Sequence, residues 1–224
     1  MAADPTQAEI EQLLSEQVDY YRAMASEYDD HALREAGGDE LATAVEAFRA
    51  EGDVLELACG QGKWTGMLLA HADSVTCLDA SPEMLAIARS EVDDPRASFV
   101  EANIFDWDPE RRYDAVFFAF WLSHVPLERF ESFWSLVDRC LEAEGRVFFV
   151  DDAYRTPEEL IEGAESSTIR RRLHDGTAFR AVKVPHTPAE LQERLEQIGW
   201  RISVHETAGP FFWGTGGRGT WTEE

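Results

Sequence analysis

The sequence predicts an α/β fold: a mostly parallel sheet of about seven strands with helices on both faces and a C-terminal antiparallel strand pair. Three observations carry this. Short apolar runs suited to buried strands alternate with amphipathic segments of helical length, the pattern of strands joined by crossover helices. Gly60 and Gly62 interrupt the chain where the first apolar run ends, so that stretch reads as strand, tight turn and helix. Beyond Asp152 the alternation stops, and two final β-like runs around Gly209 and Pro210 read as an antiparallel pair.

The elements follow in order. A long helix begins after Thr6, with Ile10, Leu13, Leu14, Val18, Tyr21, Ala25 and Tyr28 recurring every three or four residues. A second starts from Asp39 as N-cap and carries Leu41, Val45 and Phe48. Val54, Leu55 and Leu57 form the first strand, and Trp64, Met67, Leu68 and Leu69 the helix after its glycine turn. "SVTCLD" is a strand ending at Asp79, with Ser81 as N-cap and Pro82 at the first helical position of the next helix. "ASFVEANIF", "YDAVFFAFWLS" and "RVFFVDD" supply three more strands, with the helix "ERFESFWSLVDRCL" before the last. Thr156, Pro157 and Glu159 have the form of a capping box, which predicts a helix over "TPEELIEGAESSTIRRRL". A turn at Asp175 and Gly176 leads to the strand "TAFRAVKV", and Thr187, Pro188 and Glu190 open a final helix. "WRISVHET" and "PFFWGTG" close the chain as the antiparallel pair.

The 224 residues suit a single domain, 1–224. With 44 acidic against 20 basic residues the formal net charge is −24, which argues against a nucleic-acid partner, since that affinity rests on a basic surface. Only two lysines occur, Lys63 and Lys183. The acid excess fits either a chain adapted to high salt, where self-repulsion is screened, or high-GC coding that favours Arg over Lys. No apolar stretch is long enough for a membrane span and the N-terminus lacks a signal-peptide pattern, so the expectation is a cytoplasmic protein without a membrane partner, monomer or homodimer. Cys59, Cys77 and Cys140 are an odd number without CxxC spacing, and His174, His186 and His205 show no ligand spacing, so no metal is expected.

The stretch "VLELACGQGKW" sets the chemistry. A dinucleotide fingerprint would place a third glycine at the position of Thr65. A ligand with an amino-acid end and no phosphate would instead use a carboxylate and backbone to meet its ammonium, which suits Glu56 and the Ala58 carbonyl. Asp79, ending the next strand, can accept both hydroxyls of a ribose or simply cap the turn into "SPEM".

With "VLELACGQG", "CLDASPEML", "ANIFDW" and "YDAVFFAFWLSHV" in this order, the chain resembles the class I S-adenosylmethionine-dependent methyltransferases of small-molecule type, over roughly residues 15–155. The resemblance implies a Rossmann-like fold and S-adenosyl-L-methionine as cofactor. It also implies that Glu56, Ala58, Gly60 and Gly62 surround the methionine moiety, Asp79 with Ala80 holds the ribose, Met84 lies against the adenine, and Asn103 and Ile104 meet its edge. The family commonly has Asp where Asn103 stands; Asn accepts through its amide oxygen without the charge. Phe120 and Trp121 would line the passage to the acceptor. "YYRAMASEYD" is similar to the family's N-terminal cover, which places residues 1–50 over the cofactor and Tyr21 and Tyr28 at its methionine end. Core packing of the helix is the other reading of both tyrosines. Residues 153–186 would be a variable insertion shaping the acceptor pocket, with Arg170, Arg171 and Arg172 either clamping an acid or solvated, and Phe179, Phe211, Phe212 and Trp213 either walling the pocket or in the core.

His124, just past the fourth strand, is the catalytic candidate: a neutral imidazole takes a proton from a hydroxyl or ammonium acceptor, or else caps the turn before Pro126. A sulfonium is already activated, so alignment and exclusion of water supply much of the acceleration without a base. The expected function is in-line methyl transfer to an O or N atom of a small-molecule acceptor. The alternatives are a related S-adenosylmethionine-binding protein without turnover and a nicotinamide-dependent oxidoreductase. A nucleic-acid methyltransferase is disfavoured by the charge and by "FWLS" after the fourth strand.

Overall fold

The computed structural model describes residues 5–27, 37–161, 163 and 166–219. A seven-stranded sheet runs in the order β3-β2-β1-β4-β5-β9-β8, formed by β1 (Gly52–Leu57), β2 (Ala72–Asp79), β3 (Ala97–Glu101), β4 (Tyr113–Ala119), β5 (Leu141–Asp152), β8 (Trp200–Glu206) and β9 (Phe211–Arg218). The first five strands are parallel, and β9 inserts antiparallel between β5 and β8. Outward from β1 the order runs through β2 on one side and β4 on the other, so the strand order reverses beside β1. Ligands of open α/β sheets bind outside the carboxyl ends at such a point.

The helices are α1 (Gln7–Met24), α2 (Gly38–Phe48), α3 (Thr65–Leu69), α4 (Pro82–Glu91), α5 (Phe130–Cys140) and α6 (Pro188–Gln197). Alternate residues of the central strands feed two cores. Leu55, Leu57, Val116, Phe118 and Phe149 pack with α5 and α6 on one face. Val54, Val75, Phe117, Phe148 and Val150 pack with α2 and α3 on the other. Both faces of β1 and β4 are thus covered, which is why their sequences read as continuous apolar runs.

Three boundaries depart from the sequence reading. Asp39 is not the N-cap of α2: Gly37, at φ +97° against Thr207, holds that position, and Asp39 lies in the first turn, where a carboxylate suits the helix dipole. The helix α1 ends at Met24, and Tyr28 lies outside the described residues. The helix expected from Thr156 is a single turn. Glu159 N–H donates to the Thr156 carbonyl at 3.1 Å, but the Glu159 carbonyl accepts from Arg170 N at 2.8 Å and its carboxylate pairs with Arg171. Strand pairing wins because Thr168 and Ile169 favour extended backbone. Thr168–Arg172 is therefore β6, in a hairpin with β7 (Ala178–Val182) turned at Gly176, φ +89°. No helix among the described residues is long and apolar enough to cross a membrane.

Candidate active site

The carboxyl ends of β1, β2 and β4 open into one cavity of about 1000 Å³, roofed by α1 and the β6–β7 hairpin. The glycine turn after β1 is its floor. Ala58, Gly60 and Gly62 have φ of +52°, +53° and +77°, and all three line the cavity. Left-handed backbone is easy for glycine and strained for Ala58, so neighbouring contacts hold it: Cys59 N–H donates to the Leu78 carbonyl at 3.1 Å, and Gly62 N–H to Cys59 O at 2.9 Å.

Asp79 ties the two strand ends together. One carboxylate oxygen accepts from Gly60 N at 2.9 Å and the other from Ser81 N at 2.8 Å. Burial pushes its carboxyl above the ordinary carboxylate range, and these backbone donors oppose that shift. Each oxygen retains a second lone pair, so the side chain can also accept from a pair of ligand hydroxyls. Ala80 lies beside it, and the buried Met84 and Ile104 supply apolar walls. A nucleoside-sized ligand with a vicinal diol fits these residues.

Glu56 does not share this role. The expectation that it meets an ammonium is revised, because its buried carboxylate faces Thr65 Oγ1 at 2.6 Å and Cys77 Sγ at 3.6 Å, joining β1 to α3 and β2. Burial raises its pKa to about 7. Asn103 lines the cavity, but its amide oxygen accepts from Phe105 N at 3.1 Å and its amide nitrogen donates to Asp106 at 2.9 Å. One lone pair of the amide oxygen is left for a ligand.

The opposite end is built around the turn after β4. Phe120, at φ +52°, donates its N–H to the Val150 carbonyl at 2.8 Å and lines the cavity with Trp121. The buried indole Nε1 of Trp121 has no hydrogen-bond partner among the described residues. His124, 4% exposed, lies within hydrogen-bond distance of the Val182 carbonyl through Nδ1 at 2.6 Å and of Tyr21 Oη through Nε2 at 3.0 Å. Burial, with Lys183 and Arg171 adding repulsion, holds its pKa well below the ordinary histidine range. Tyr20 and Tyr21 both line the cavity, and Tyr20 is otherwise buried against Phe179. The α1 roof is fastened by Gln61 donating to the Ala25 carbonyl at 2.9 Å and by an Arg22–Glu83 ion pair at 3.2 Å.

Sequence reasoning missed Lys183, Gln17, Asp151 and Asp152. Lys183 is 2% exposed yet lines the cavity, and its ammonium donates to Ser123 Oγ at 3.0 Å and meets Asp152 at 3.0 Å. Asp151, fully buried, accepts from Ser123 N at 2.8 Å and Ser123 Oγ at 2.7 Å. One of only two lysines, set in the apolar run Ala181–Val184, was the available signal. Of the arginine run only Arg171 reaches the cavity, and Phe179, Phe211, Phe212 and Trp213 pack elsewhere. Among the described residues no His, Cys, Asp or Glu cluster is arranged to hold a metal, and the three cysteines are buried free thiols.

The profile of the Methyltransferase domain family matches residues 54–145. A solved structure, the DhpI–SAH complex, is 43% identical, with 93% of this chain and 98% of that chain covered at a TM-score of 0.80. A DhpI–SAM–HEP complex is 42% identical over 91% and 96% of the two chains, TM-score 0.77. Trans-aconitate 2-methyltransferase of Escherichia coli O139:H28 is 40% identical over 86 residues, 38% of this chain, and the match spans about a third of that relative's length, 33%. The Burkholderia thailandensis 1,6-didemethyltoxoflavin-N1-methyltransferase, at 17% identity and a TM-score of 0.66, shares the fold.

Proposed function

The chain belongs to the S-adenosylmethionine-dependent methyltransferases, and from that premise we propose that it methylates an oxygen or nitrogen atom of a small molecule held between Phe120, Trp121 and the His124 turn. One observation carries the reading. A single cavity has the Asp79 carboxylate and glycine turn at one end and the Tyr21, His124 and Lys183 side chains at the other, so one ligand spanning it presents its middle to an acceptor.

When bound, S-adenosylmethionine supplies a methyl group already activated by its sulfonium. The protein's part is to align and enclose. Asp79 would hold the ribose hydroxyls, Ala58, Gly60 and Gly62 the backbone side of the methionine moiety, and Ala80, Met84, Asn103 and Ile104 the base. Tyr21 and the rest of α1 cover the site and exclude water. Residues 153–186 shape the acceptor end, where Arg171 and Lys183 face Glu159, Asp151 and Asp152. That charge-paired wall favours a polar acceptor over an apolar one.

Calorimetric titration with S-adenosylmethionine, S-adenosylhomocysteine and NADH, on wild type and Asp79→Ala, tests this. Both adenosyl ligands should bind and NADH should not, with the variant roughly 10- to 150-fold weaker, the equivalent of about 1.5–3 kcal/mol for a charge-assisted hydrogen bond. Binding of NADH alone, or of nothing, would reject the reading.

A further inference from the structure

We propose that Tyr21 is the residue that receives the acceptor's hydrogen, and that His124 is a positioning residue behind it that sets the direction of this contact and carries the proton onward. The proposal rests on the methyl-transfer reading above. It reassigns Tyr21 from the cofactor to the acceptor.

The direction follows from the bonding. A carbonyl oxygen only accepts, so the 2.6 Å contact to Val182 places a proton on His124 Nδ1. A neutral imidazole with Nδ1 protonated has a bare Nε2, and Tyr21 Oη, 3.0 Å away, must then donate to it. The surroundings keep the ring neutral: it is buried, and among the described residues the charged groups facing it are the cations Lys183, from the segment after β7, and Arg171, from β6. With its one proton committed, the phenol acts toward the cavity as a hydrogen-bond acceptor. It matches a hydroxyl, a protonated acid or an amine, and it opposes a group offering only lone pairs.

A second observation is independent of the protonation argument. Gln17, one turn before Tyr21 on α1, donates to the His124 carbonyl at 3.3 Å and accepts from Val182 N–H at 2.9 Å. Val182 therefore spends its N–H on α1 and its carbonyl on His124. The phenol stands edge-on to the imidazole, ring centroids 5.6 Å apart at 86°. Three elements thus hold one tyrosine–histidine pair in a single orientation at the cavity wall.

The step balances. With X oxygen or nitrogen, the X–CH₃ bond forms as the methyl–sulfur bond breaks. The X–H proton passes to Tyr21 Oη while the Tyr21 proton passes to His124 Nε2. One positive charge is lost at sulfur and one gained on the imidazole, so the cavity's total charge is unchanged despite Lys183 and Arg171.

Nitrogen NMR of ¹⁵N-histidine in the ligand-free protein reads the direction without any turnover. His124 should stay neutral with its proton on Nδ1 from about pH 5 to 8, across the ordinary histidine range. Tyr21→Phe should move the Nε2 resonance and leave the tautomer alone. A proton on Nε2 in the wild type would overturn the proposal. In turnover with radiolabelled methyl donor and simple hydroxy acids and primary amines, Tyr21→Phe should lose roughly 10²- to 10⁴-fold in kcat, the usual reach of a proton-transfer group, with cofactor affinity retained. His124→Gln, which can still donate to Val182 and accept from Tyr21 but cannot carry a proton, should match Tyr21→Phe in its loss of kcat with cofactor affinity retained. Wild-type kcat in either variant, or loss of cofactor affinity alone in Tyr21→Phe, would also overturn it. If no acceptor is methylated by the wild type, the methyl-transfer reading fails and the relay with it, whatever bond direction the NMR reports.

Discussion

Lys183 Nζ lies 3.0 Å from a carboxylate oxygen of Asp152, inside a wall where the lysine side chain is 2% and the aspartate side chain 15% exposed. Asp151, with no exposed surface, is 3.7 Å from the same ammonium. One buried cation therefore serves two carboxylates at the end of β5. Through Ser123 it also anchors the turn that carries His124.

Replacing Lys183 by Met removes the cation and leaves both carboxylates. Urea denaturation should show a loss of about 3–5 kcal/mol, as for other buried pairs broken from one side. Asp152→Asn should cost less, because Asp151 still balances the charge. Burial already holds the Asp151 carboxyl above its ordinary range, and Lys183 opposes that. Without Lys183 the carboxyl rises further, so the deficit of Lys183→Met should shrink as pH falls and Asp151 is protonated.

Glu56 makes stability fall as pH rises. Its folded pKa of about 7 lies above the ordinary 4.5, so the folded state binds the extra proton between those values. The stabilisation is complete below about pH 4.5, declines toward pH 7 and levels off above it. Glu56→Gln keeps an acceptor for Thr65 and should remove about 3 kcal/mol of this slope. Thermal or urea unfolding of both proteins from pH 4.5 to 8 should show the wild type losing ground to the variant; parallel profiles would count against it.

The two turn glycines should separate binding from folding. Among the described residues a Cβ at Gly60 meets no non-neighbouring atom within 4 Å, whereas one at Gly62 would stand 3.1 Å from Val92 Cγ2 and 3.2 Å from Ala88 Cβ. Gly60→Ala should cost only the roughly 1–2 kcal/mol of a left-handed alanine and weaken S-adenosylhomocysteine binding. Gly62→Ala should lose more stability, because α4 must also shift. Calorimetry beside chemical denaturation distinguishes the two.

Gln17→Leu should destabilise by about 1–3 kcal/mol, because the Val182 N–H is left buried and unpaired. Faster hydrogen exchange at Val182 would show the loss directly. Unaltered protection there would mean that α1 is held on β7 by the Glu16–Arg180 contacts and apolar packing without this hydrogen bond.

The local signals in this chain are strong where a residue's task is set by its neighbours in sequence. Ser81 followed by Pro82, and Thr187 followed by Pro188, cap α4 and α6 as read. The apolar runs became β1, β4 and β5 because a strand covered on both faces needs no polar alternation. Asp79 could be placed at the mouth of the cavity because a carboxylate ending the second strand can only lie beside the turn that ends the first.

Thr156 and Glu159 carried the same start signal as Thr187 and Glu190 yet made one turn, because Arg170 and Arg171, far along the chain, claimed the carbonyl and carboxylate of Glu159. Glu56 looked like a ligand group until β2 and α3 closed Thr65 and Cys77 around it. Gln17 and Asp151 carry no pattern and Lys183 only its rarity within an apolar run, since each gains its role from partners 60 or more residues away or on another strand's end, Val182 to Gln17 spanning 165 positions. The sheet and its glycine turn were legible from short-range periodicity and capping, and the cofactor end from the resemblance of the ordered motifs to the family. The Tyr21–His124 contact and the charge pairing of Lys183 with Asp151 and Asp152 emerged only on folding, because burial and long-range hydrogen bonding set the protonation and orientation of polar side chains.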